Sequence, residues 1–313
     1  EMKNKKKIYF LLGPTCSGKS KIALLLSQKY SFEIISLDSS TIYKGLNIGT
    51  DKPNSEILKK HPHHLVNIIE PNESYDVNKF YLETRRLLCE ITNRGRTPFL
   101  VGGTMMYFDR LLSGINLLPP KSEDERNFIQ FLLQSYSLSD IYQTLKIIDI
   151  DSFNRISKND KQRIERALEV YLLTGRSMSS FFGTKLSLFE YFECQIVYLL
   201  PKERKYLHRK IEERTYKIFE DGLIDEVSNL RKNFNLNHDS QSMKSIGYRQ
   251  TLDFLDGHLT RQQLIDECIH ATRQLAKRQI TWMRRYNPNL IIEIDHKNHR
   301  EIVEEIETNL HLA

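Results

Sequence analysis

Residues Gly13-Pro14-Thr15-Cys16-Ser17-Gly18-Lys19-Ser20 follow the spacing G-x-x-x-x-G-K-[ST], a pattern suited to holding a phosphate. Glycines let the backbone turn its N–H groups toward an anion, and a helix starting there adds its positive end. Lys19 supplies a point charge, and the Ser20 hydroxyl suits Mg²⁺ ligation. Such a loop names a ligand group and not a reaction. Kinases, nucleoside triphosphatases and diphosphate-releasing transferases all use one. An acid beside the loop narrows the choice, and the sequence offers Asp38 in Asp38-Ser39-Ser40-Thr41. A carboxylate there can hold a metal, take a proton or cap a helix. A kinase or triphosphatase normally has another strand-end acid for its metal. Thr97 to Val101 instead runs into Gly102-Gly103-Thr104, with no acid.

These residues need a strand before the loop and a helix after it. Lys7 to Leu12 is a short β-rich run, and Lys19 to Tyr30 has Ile22, Leu25 and Leu26 at helical spacing. Phe32 to Leu37 predicts a second strand that ends at Asp38. Tyr81 to Arg94 predicts a helix ended by Gly95, and Thr97 to Val101 a third strand. Alternating strands and helices predict an α/β fold, a P-loop NTPase-like parallel sheet flanked by helices. The pattern changes after Gly114. Pro119-Pro120 marks a break, and Glu123 to Tyr142 and Asp160 to Leu173 read as helices with no strand between them. Glu193 to Leu200 reads as a strand again, followed by helices over 202–220, 222–233, 260–286 and 300–310. The expected organisation is a core of 1–114 and 190–313 around an all-helical insertion, 115–189.

Composition sets limits. With 313 residues, 40% apolar and 27% charged, and 15 Phe and 15 Tyr, the chain can build a large core and is not disordered. Its longest apolar runs fall far short of the ~18 residues a membrane span needs. The polar, basic start does not read as a secretion signal, and Glu1 ahead of Met2 reads as an added residue. The excess of 46 Lys and Arg over 40 Asp and Glu, +6, is compatible with an anionic partner. Cys16, Cys89, Cys194 and Cys268 form no CxxC pair, which argues against a zinc ribbon and for a reducing cytoplasm. His61, His63 and His64 lack the Cys or carboxylate companions of a metal site.

Two stretches could meet nucleic acid. Ala271 to Tyr286 carries Arg273, Lys277, Arg278, Arg284 and Arg285 with no acid, interleaved with Trp282 and Tyr286. That pairing of charge with stacking surface suits RNA, although Trp282 could be core and the arginines could meet distant carboxylates. Gln162-Arg163-Ile164-Glu165-Arg166 lies on a helix, and taken alone it reads as a solvated, salt-bridged face.

The ordered set resembles one family over nearly the whole chain, the bacterial-type tRNA dimethylallyltransferases (tRNA isopentenyltransferases). The resemblance is carried by Gly13 to Ser20, Asp38-Ser39-Ser40-Thr41-Ile42-Tyr43, Asn47-Ile48-Gly49-Thr50-Asp51-Lys52-Pro53 and His63-His64-Leu65. It continues through Tyr75-Asp76-Val77, Val101-Gly102-Gly103-Thr104, Asn159-Asp160 with Gln162 to Glu169, Ser245-Ile246-Gly247-Tyr248-Arg249-Gln250 and Lys277 to Arg284. It implies transfer of a dimethylallyl group from dimethylallyl diphosphate to N6 of the adenine just 3′ of the anticodon, with Mg²⁺ at Ser20. It also implies a cytoplasmic enzyme, taken as a monomer, that binds the anticodon stem-loop and no membrane.

Residue by residue, the resemblance makes Asp38 the base and puts Thr104 near the reacting centre. Gly13, Pro14, Thr15, Cys16, Ser17, Gly18, Lys19, Ser20 and Arg278 are assigned to the diphosphate. Contacts to tRNA fall on Asp38, Ser39, Ser40, Thr41, Thr104, Arg126, Gln162, Arg163, Ile164, Glu165 and Arg166. They continue on Lys244, Gly247, Tyr248, Arg249, Lys277, Arg278, Gln279, Thr281, Trp282 and Arg284. Three residues depart from the pattern. Thr41 stands where Gln is usual, Met105 where Gly is usual, and Asn67 where Asp is common. A free-nucleotide (AMP, ADP or ATP) isopentenyltransferase shares the loop and the Asp-Ser stretch, but would not need two basic helices. A small-molecule P-loop kinase and a non-enzymatic RNA-binding module fit less well.

Overall fold

The structure is a computed structural model that describes residues 5–116, 118–119, 121–182 and 187–312. Pro120, half of the expected Pro119-Pro120 break, lies outside them. The chain divides into two compact units, one of 1–112 with 188–313 and one of 113–187.

In the larger unit the strands are β1 (Lys6–Leu12), β2 (Phe32–Leu37), β3 (His63–His64), β4 (Thr97–Gly102), β5 (Phe192–Leu200) and β6 (Leu290–Glu293). They form one sheet in the order β3-β2-β4-β1-β5-β6, and every pairing is parallel. The order follows from burial. All six residues of β2 and the last five of β1 are buried, as strands covered on both faces must be. Register then does the functional work. Gly102 of β4 stands level with Leu12 of β1 and with Leu37 of β2. The three strands therefore deliver Gly13, Asp38 and Gly103 to one edge, where α/β sheets bind ligands. The short strands β3 and β6 carry too few residues to show a period of two, and the sequence pattern did not reveal them.

The helices are α1 (Lys19–Lys29), α2 (Ser55–Lys60), α3 (Val77–Asn93), α4 (Met105–Ser113), α5 (Glu123–Ser135), α6 (Leu138–Ile148) and α7 (Ile150–Arg155). They continue with α8 (Lys161–Thr174), α9 (Arg204–Glu220), α10 (Leu223–Phe234), α11 (Tyr248–Leu255), α12 (Arg261–Met283) and α13 (His299–Leu310). The helix expected over Glu123 to Tyr142 is two helices. Ser137 accepts the Asp140 N–H and Asp140 accepts the Ser137 N–H, a capping box that starts α6 and breaks the run. The smaller unit holds α5 to α8 around Ile129, Leu145, Ile164 and Ala167, and Gly175, at φ +68°, ends α8 as the sequence indicates.

Glu33, on β2, is buried and clamps the far end of the sheet. His64 Nε2 donates to it at 2.8 Å, Arg94 at 2.7 Å and Arg96 at 3.0 Å. His63 Nδ1 bonds the His61 carbonyl at 2.7 Å. His63 and His64 thus serve the sheet, and among the described residues no group of three or more His, Cys, Asp and Glu is placed to hold a metal. Burial works to raise the Glu33 pKa, but the bonds from His64 and Arg94 outweigh it and hold the carboxyl below its usual value. Its stabilising contribution is therefore present above the ordinary Glu pKa and is lost as pH falls through the lowered folded value. Glu33→Ala should cost about 3 kcal/mol, the low end for breaking a buried pair, because both arginines stay half-exposed and hydrated. Thermal melts at neutral and acid pH check this. The gap between variant and wild type should narrow in acid.

Candidate active site

The phosphate loop joins β1 to α1. Gly13 is tightly packed, since a Cβ there would lie 2.5 Å from Ser17 Oγ and 3.0 Å from the Leu199 carbonyl. Gly18 turns the chain into α1 at φ +82°, a conformation that favours glycine, and Cys16 shares it at +64°. The first-turn N–H groups of α1 lack intrahelical partners and form the positive end of the helix. The loop opens on a cavity of about 850 Å³. Lys19 lies in it, and its ammonium donates to the Pro14 carbonyl at 3.1 Å. Burial pulls the Lys19 pKa below the usual lysine range, while the charge of Asp38 works against that shift. A desolvated ammonium held only by a carbonyl is a strong site for an incoming anion.

Asp38 lines the same cavity. Its Oδ1 accepts the Ser40 N–H at 2.7 Å and the Thr41 N–H at 3.3 Å. One oxygen thus caps a turn, while Oδ2 has no partner among the described residues and remains for chemistry. Thr104 precedes α4, yet its hydroxyl accepts the Ser39 N–H at 3.1 Å and so braces the Asp38 turn from β4. Packing explains why no acid follows β4. A Cβ at Gly102 would sit 2.3 Å from the Leu37 carbonyl, and one at Gly103 would sit 2.5 Å from Gln279 Nε2. Gln279 accepts the Thr15 N–H and donates to the Gly103 carbonyl, both at 2.9 Å. It ties α12 to the phosphate loop and to the end of β4.

Sequence reasoning missed Arg214. From α9 it donates to Thr15 Oγ1 at 2.9 Å and reaches Cys16 Sγ at 3.7 Å, which puts a second cation on the loop. Lys210 and Lys217 line the cavity from the same helix, at i−4 and i+3. This stripe is hard to read in sequence because acids alternate with it, as in Lys210–Glu213 and Lys217–Asp221. The loop over Asn47 to Asp51, which carries part of the resemblance, is given no role in the site by sequence alone. Glu226 accepts the Asn47 N–H at 3.2 Å, the Ile48 N–H at 2.9 Å and the Tyr248 hydroxyl at 2.5 Å. The Tyr248 oxygen in turn accepts the Gly49 N–H at 3.1 Å. This carboxylate and phenol hold Thr50 and Asp51 at the cavity wall.

The structure sorts the RNA candidates. Asp38, Ser39, Ser40, Thr41, Thr104, Gly247, Arg278, Gln279 and Trp282 line the one cavity. Thr41 is buried against Ser36, and Tyr248 is wholly buried as the brace just described, so neither offers an outer surface. Of the basic run along and just past α12, Arg273 pairs with Glu212, Arg285 lies 4.5 Å over Trp282, and Tyr286 donates to Asp109. Lys277, Arg278 and Arg284 are exposed and make no ion pair among the described residues, as are Lys244 and Arg249. Thr281 is exposed with its hydroxyl on the Lys277 carbonyl.

In the smaller unit Arg126 and Arg166 both meet the buried Glu169, at 3.3 and 2.8 Å. Glu165 accepts from Gln130 at 3.0 Å, and Ile164 is core. Only Gln162 and Arg163 of that run are exposed, with Arg163 3.5 Å from Asp160 at the surface. For Arg126, Glu165 and Arg166 the salt-bridged reading therefore describes what the side chains touch.

A parallel sheet with a phosphate loop after β1, a carboxylate after β2 and no acid after β4 defines a P-loop-like α/β fold whose loop shares a cavity with that carboxylate. The chain belongs to the IPP transferase family, whose pattern matches residues 41–286, and an isopentenyl transferase pattern matches residues 6–67. A tRNA dimethylallyltransferase of Neisseria meningitidis is 43% identical over 280 residues, covering 89% of this chain and 90% of that protein. One from Francisella philomiragia is 40% identical over 295 residues, 94% of this chain and 96% of the other. The crystal structure of a tRNA isopentenylpyrophosphate transferase from Bacillus halodurans superposes with a TM-score of 0.71 at 33% identity, over 98% of this chain and 96% of that one. A eukaryotic dimethylallyltransferase acting on tRNA gives a TM-score of 0.78 at 26% identity, over 98% of this chain and 77% of the other.

Proposed function

We propose that this chain transfers the dimethylallyl group of dimethylallyl diphosphate to N6 of the adenine just 3′ of the anticodon in tRNA, releasing diphosphate. The observation that carries this is one cavity in which a doubly cationic phosphate loop faces a carboxylate with an unused oxygen. The amine is a weak nucleophile, because its lone pair is delocalised into the ring, and it gains most from positioning and a base. Its nitrogen bonds the allylic carbon as the carbon–oxygen bond to diphosphate breaks. The electron pair leaves with the diphosphate oxygen, and the amine proton passes to Asp38 Oδ2. Lys19, Arg214 and the loop N–H groups stabilise the charge growing on the leaving group. Thr104 keeps the Asp38 turn in place.

Mg²⁺ suits these residues. It binds through one or two protein oxygens together with substrate phosphates and water. Ser20 is exposed on the first turn of α1 and would hold it, with Asp38 and Asp51 on the same cavity. When bound it would neutralise diphosphate charge.

The RNA must present its adenine out of the stack, at a cost of a few kcal/mol. Phosphate contacts must repay that cost, and Lys244, Arg249, Lys277 and Arg278, with Arg284 at the C-terminal end of α12 and Arg163 on α8, are cations exposed for it. Affinity for tRNA should fall steeply with salt. Arg163→Ala and Arg284→Ala should each flatten the log–log slope by roughly one, while Arg166→Ala, whose guanidinium serves Glu169, should leave it unchanged. Filter binding over a salt series measures this, and a slope unmoved by the first two substitutions removes them from the interface. We take the enzyme to act as a cytoplasmic monomer. Among the described residues no helix is long and apolar enough to cross a membrane. The reading is tested by incubating the chain with labelled dimethylallyl diphosphate and either bulk tRNA or AMP. Label should enter tRNA. Label in AMP alone would make the chain a free-nucleotide enzyme.

A further inference from the structure

Three segments of the larger unit meet at one ammonium. Lys52 Nζ donates to the Tyr43 carbonyl and to Asn67 Oδ1, both at 2.6 Å. Tyr43 ends the turn that begins at Asp38, and its N–H reaches back to the Ser40 carbonyl at 3.3 Å. Asn67 donates its own N–H to the Thr41 carbonyl at 3.0 Å, so it grips the same turn. Lys52 also closes the Asn47–Asp51 loop, with its N–H on the Asn47 carbonyl at 3.2 Å. Glu226 and Tyr248 hold that loop over Asn47 to Gly49, and Lys52 holds it at its end.

An ammonium taken out of water needs partners, and both acceptors here are neutral. Asn67 stands where Asp is common, and among the described residues no carboxylate pairs with Lys52. Burial pulls its pKa down to about 8, while the charges of Glu226 on α10 and Asp38 after β2, neither of them an ion-pair partner, oppose the shift. A cation so placed adds little to fold stability, and what it contributes is where it ties the chain. Asp38, Thr50, Asp51 and Pro53 line the cavity, and Lys52, Tyr43 and Asn67 do not. We propose that Lys52, through Tyr43 and Asn67, is a positioning residue that sets the Asp38 carboxylate against the loop carrying Thr50 and Asp51. This rests on the transfer reaction proposed above, in which Asp38 takes the amine proton. A base must lie within hydrogen-bond reach of that proton, and a displacement of about 1 Å can cost a hundredfold in rate. Because Lys52 does not line the cavity, its loss should appear in the rate of the transfer step and not in binding.

The test is single-turnover transfer by the full chain at pH 7, with dimethylallyl diphosphate and tRNA both saturating. Donor and tRNA affinities and a melting curve are measured on the same samples. Lys52→Met keeps most of the length and removes the ammonium. It should lower the rate by roughly 10–100-fold and leave both affinities within a few-fold of wild type. Asn67 has φ +55°, a conformation glycine adopts freely, so Asn67→Gly removes the acceptor without backbone strain. It should lower the rate by roughly tenfold, the worth of one hydrogen bond to a charged group. Asn67→Asp keeps an oxygen for Lys52 and should keep most of the rate. If Lys52→Met melts below the assay temperature, the two Asn67 variants carry the test. A normal rate in Lys52→Met would overturn the proposal. So would affinities that fall in step with the rate, which would mean a cavity loosened as a whole. So would a rate unmoved in Asn67→Gly, or one that Asn67→Asp lowers as far as Asn67→Gly does. Normal transfer by the wild type with any of these results defeats this proposal alone. No transfer by the wild type defeats it together with the reaction it rests on.

Discussion

Asp38→Asn should lower the single-turnover rate of prenyl transfer by about 10²–10⁴-fold, the usual cost of losing a general base, and leave tRNA affinity within a few-fold of wild type. The substitution is informative because the two carboxylate oxygens do different work. Oδ1 accepts from the N–H groups of Ser40 and Thr41, and the Asn oxygen can keep both bonds. Only the unused oxygen, the one able to take a proton, is replaced. Two other roles predict other outcomes. If Asp38 served mainly to hold Mg²⁺, added Mg²⁺ would restore part of the rate. If it only shaped the turn, Asn would keep the cap, and both the melt and turnover would stay near wild type. A second effect follows from electrostatics. The Asp38 charge supports the buried ammonium of Lys19. Removing it should weaken donor binding as well, and more at alkaline pH than at neutral pH. Single-turnover rates against Mg²⁺ and pH, with a melting curve on the same sample, distinguish these cases. A near-normal rate would remove Asp38 as the base.

How legible these features were depended on how local their cause is. The phosphate loop and the strands around it could be read because Gly13 to Ser20 must lie between a strand and a helix, and the flanking apolar residues agree. Asp38 was legible for the same reason, as the first residue past a β-rich run. Gly102-Gly103 was read correctly as the absence of an acid. Its cause could not be, because the obstructing atoms belong to Leu37 and Gln279, distant in sequence. Arg214 shows the limit more plainly. Nothing within α9 marks one cation among several, and only the packing of α9 against the loop singles it out. Arg126 and Arg166 show the same limit from the other side. Sequence alone reads the one as a surface arginine and the other as part of a salt-bridged face, and both meet Glu169, whose 1% exposure no local pattern reveals. Burial of an acid at one helical position decides the fate of arginines three residues and forty-three residues away.

Lys19→Ala should reduce kcat/KM for the diphosphate donor by about 10²–10³-fold, with tRNA affinity nearly unchanged. The size of the effect follows from where the charge sits. Lys19 is desolvated, and its one hydrogen bond among the described residues is to a loop carbonyl, Pro14 O at 3.1 Å. Arg214 is engaged with Thr15 Oγ1 and Cys16 Sγ, so it is not free to take the place of the Lys19 ammonium. Burial lowers the Lys19 pKa, which means that its charge is lost at a lower pH than that of an exposed lysine. Donor affinity should therefore be full below that lowered value and fall as pH rises through it. Bound diphosphate favours the charged form, so donor binding takes up protons in that range. Lys19→Ala should abolish the Lys19 part of this pH dependence as well as lowering the affinity. Titration calorimetry with diphosphate in buffers of different ionisation enthalpy measures the proton uptake directly. If the variant keeps the same alkaline slope, another group is responsible, and Lys19 would be a packing residue of the loop.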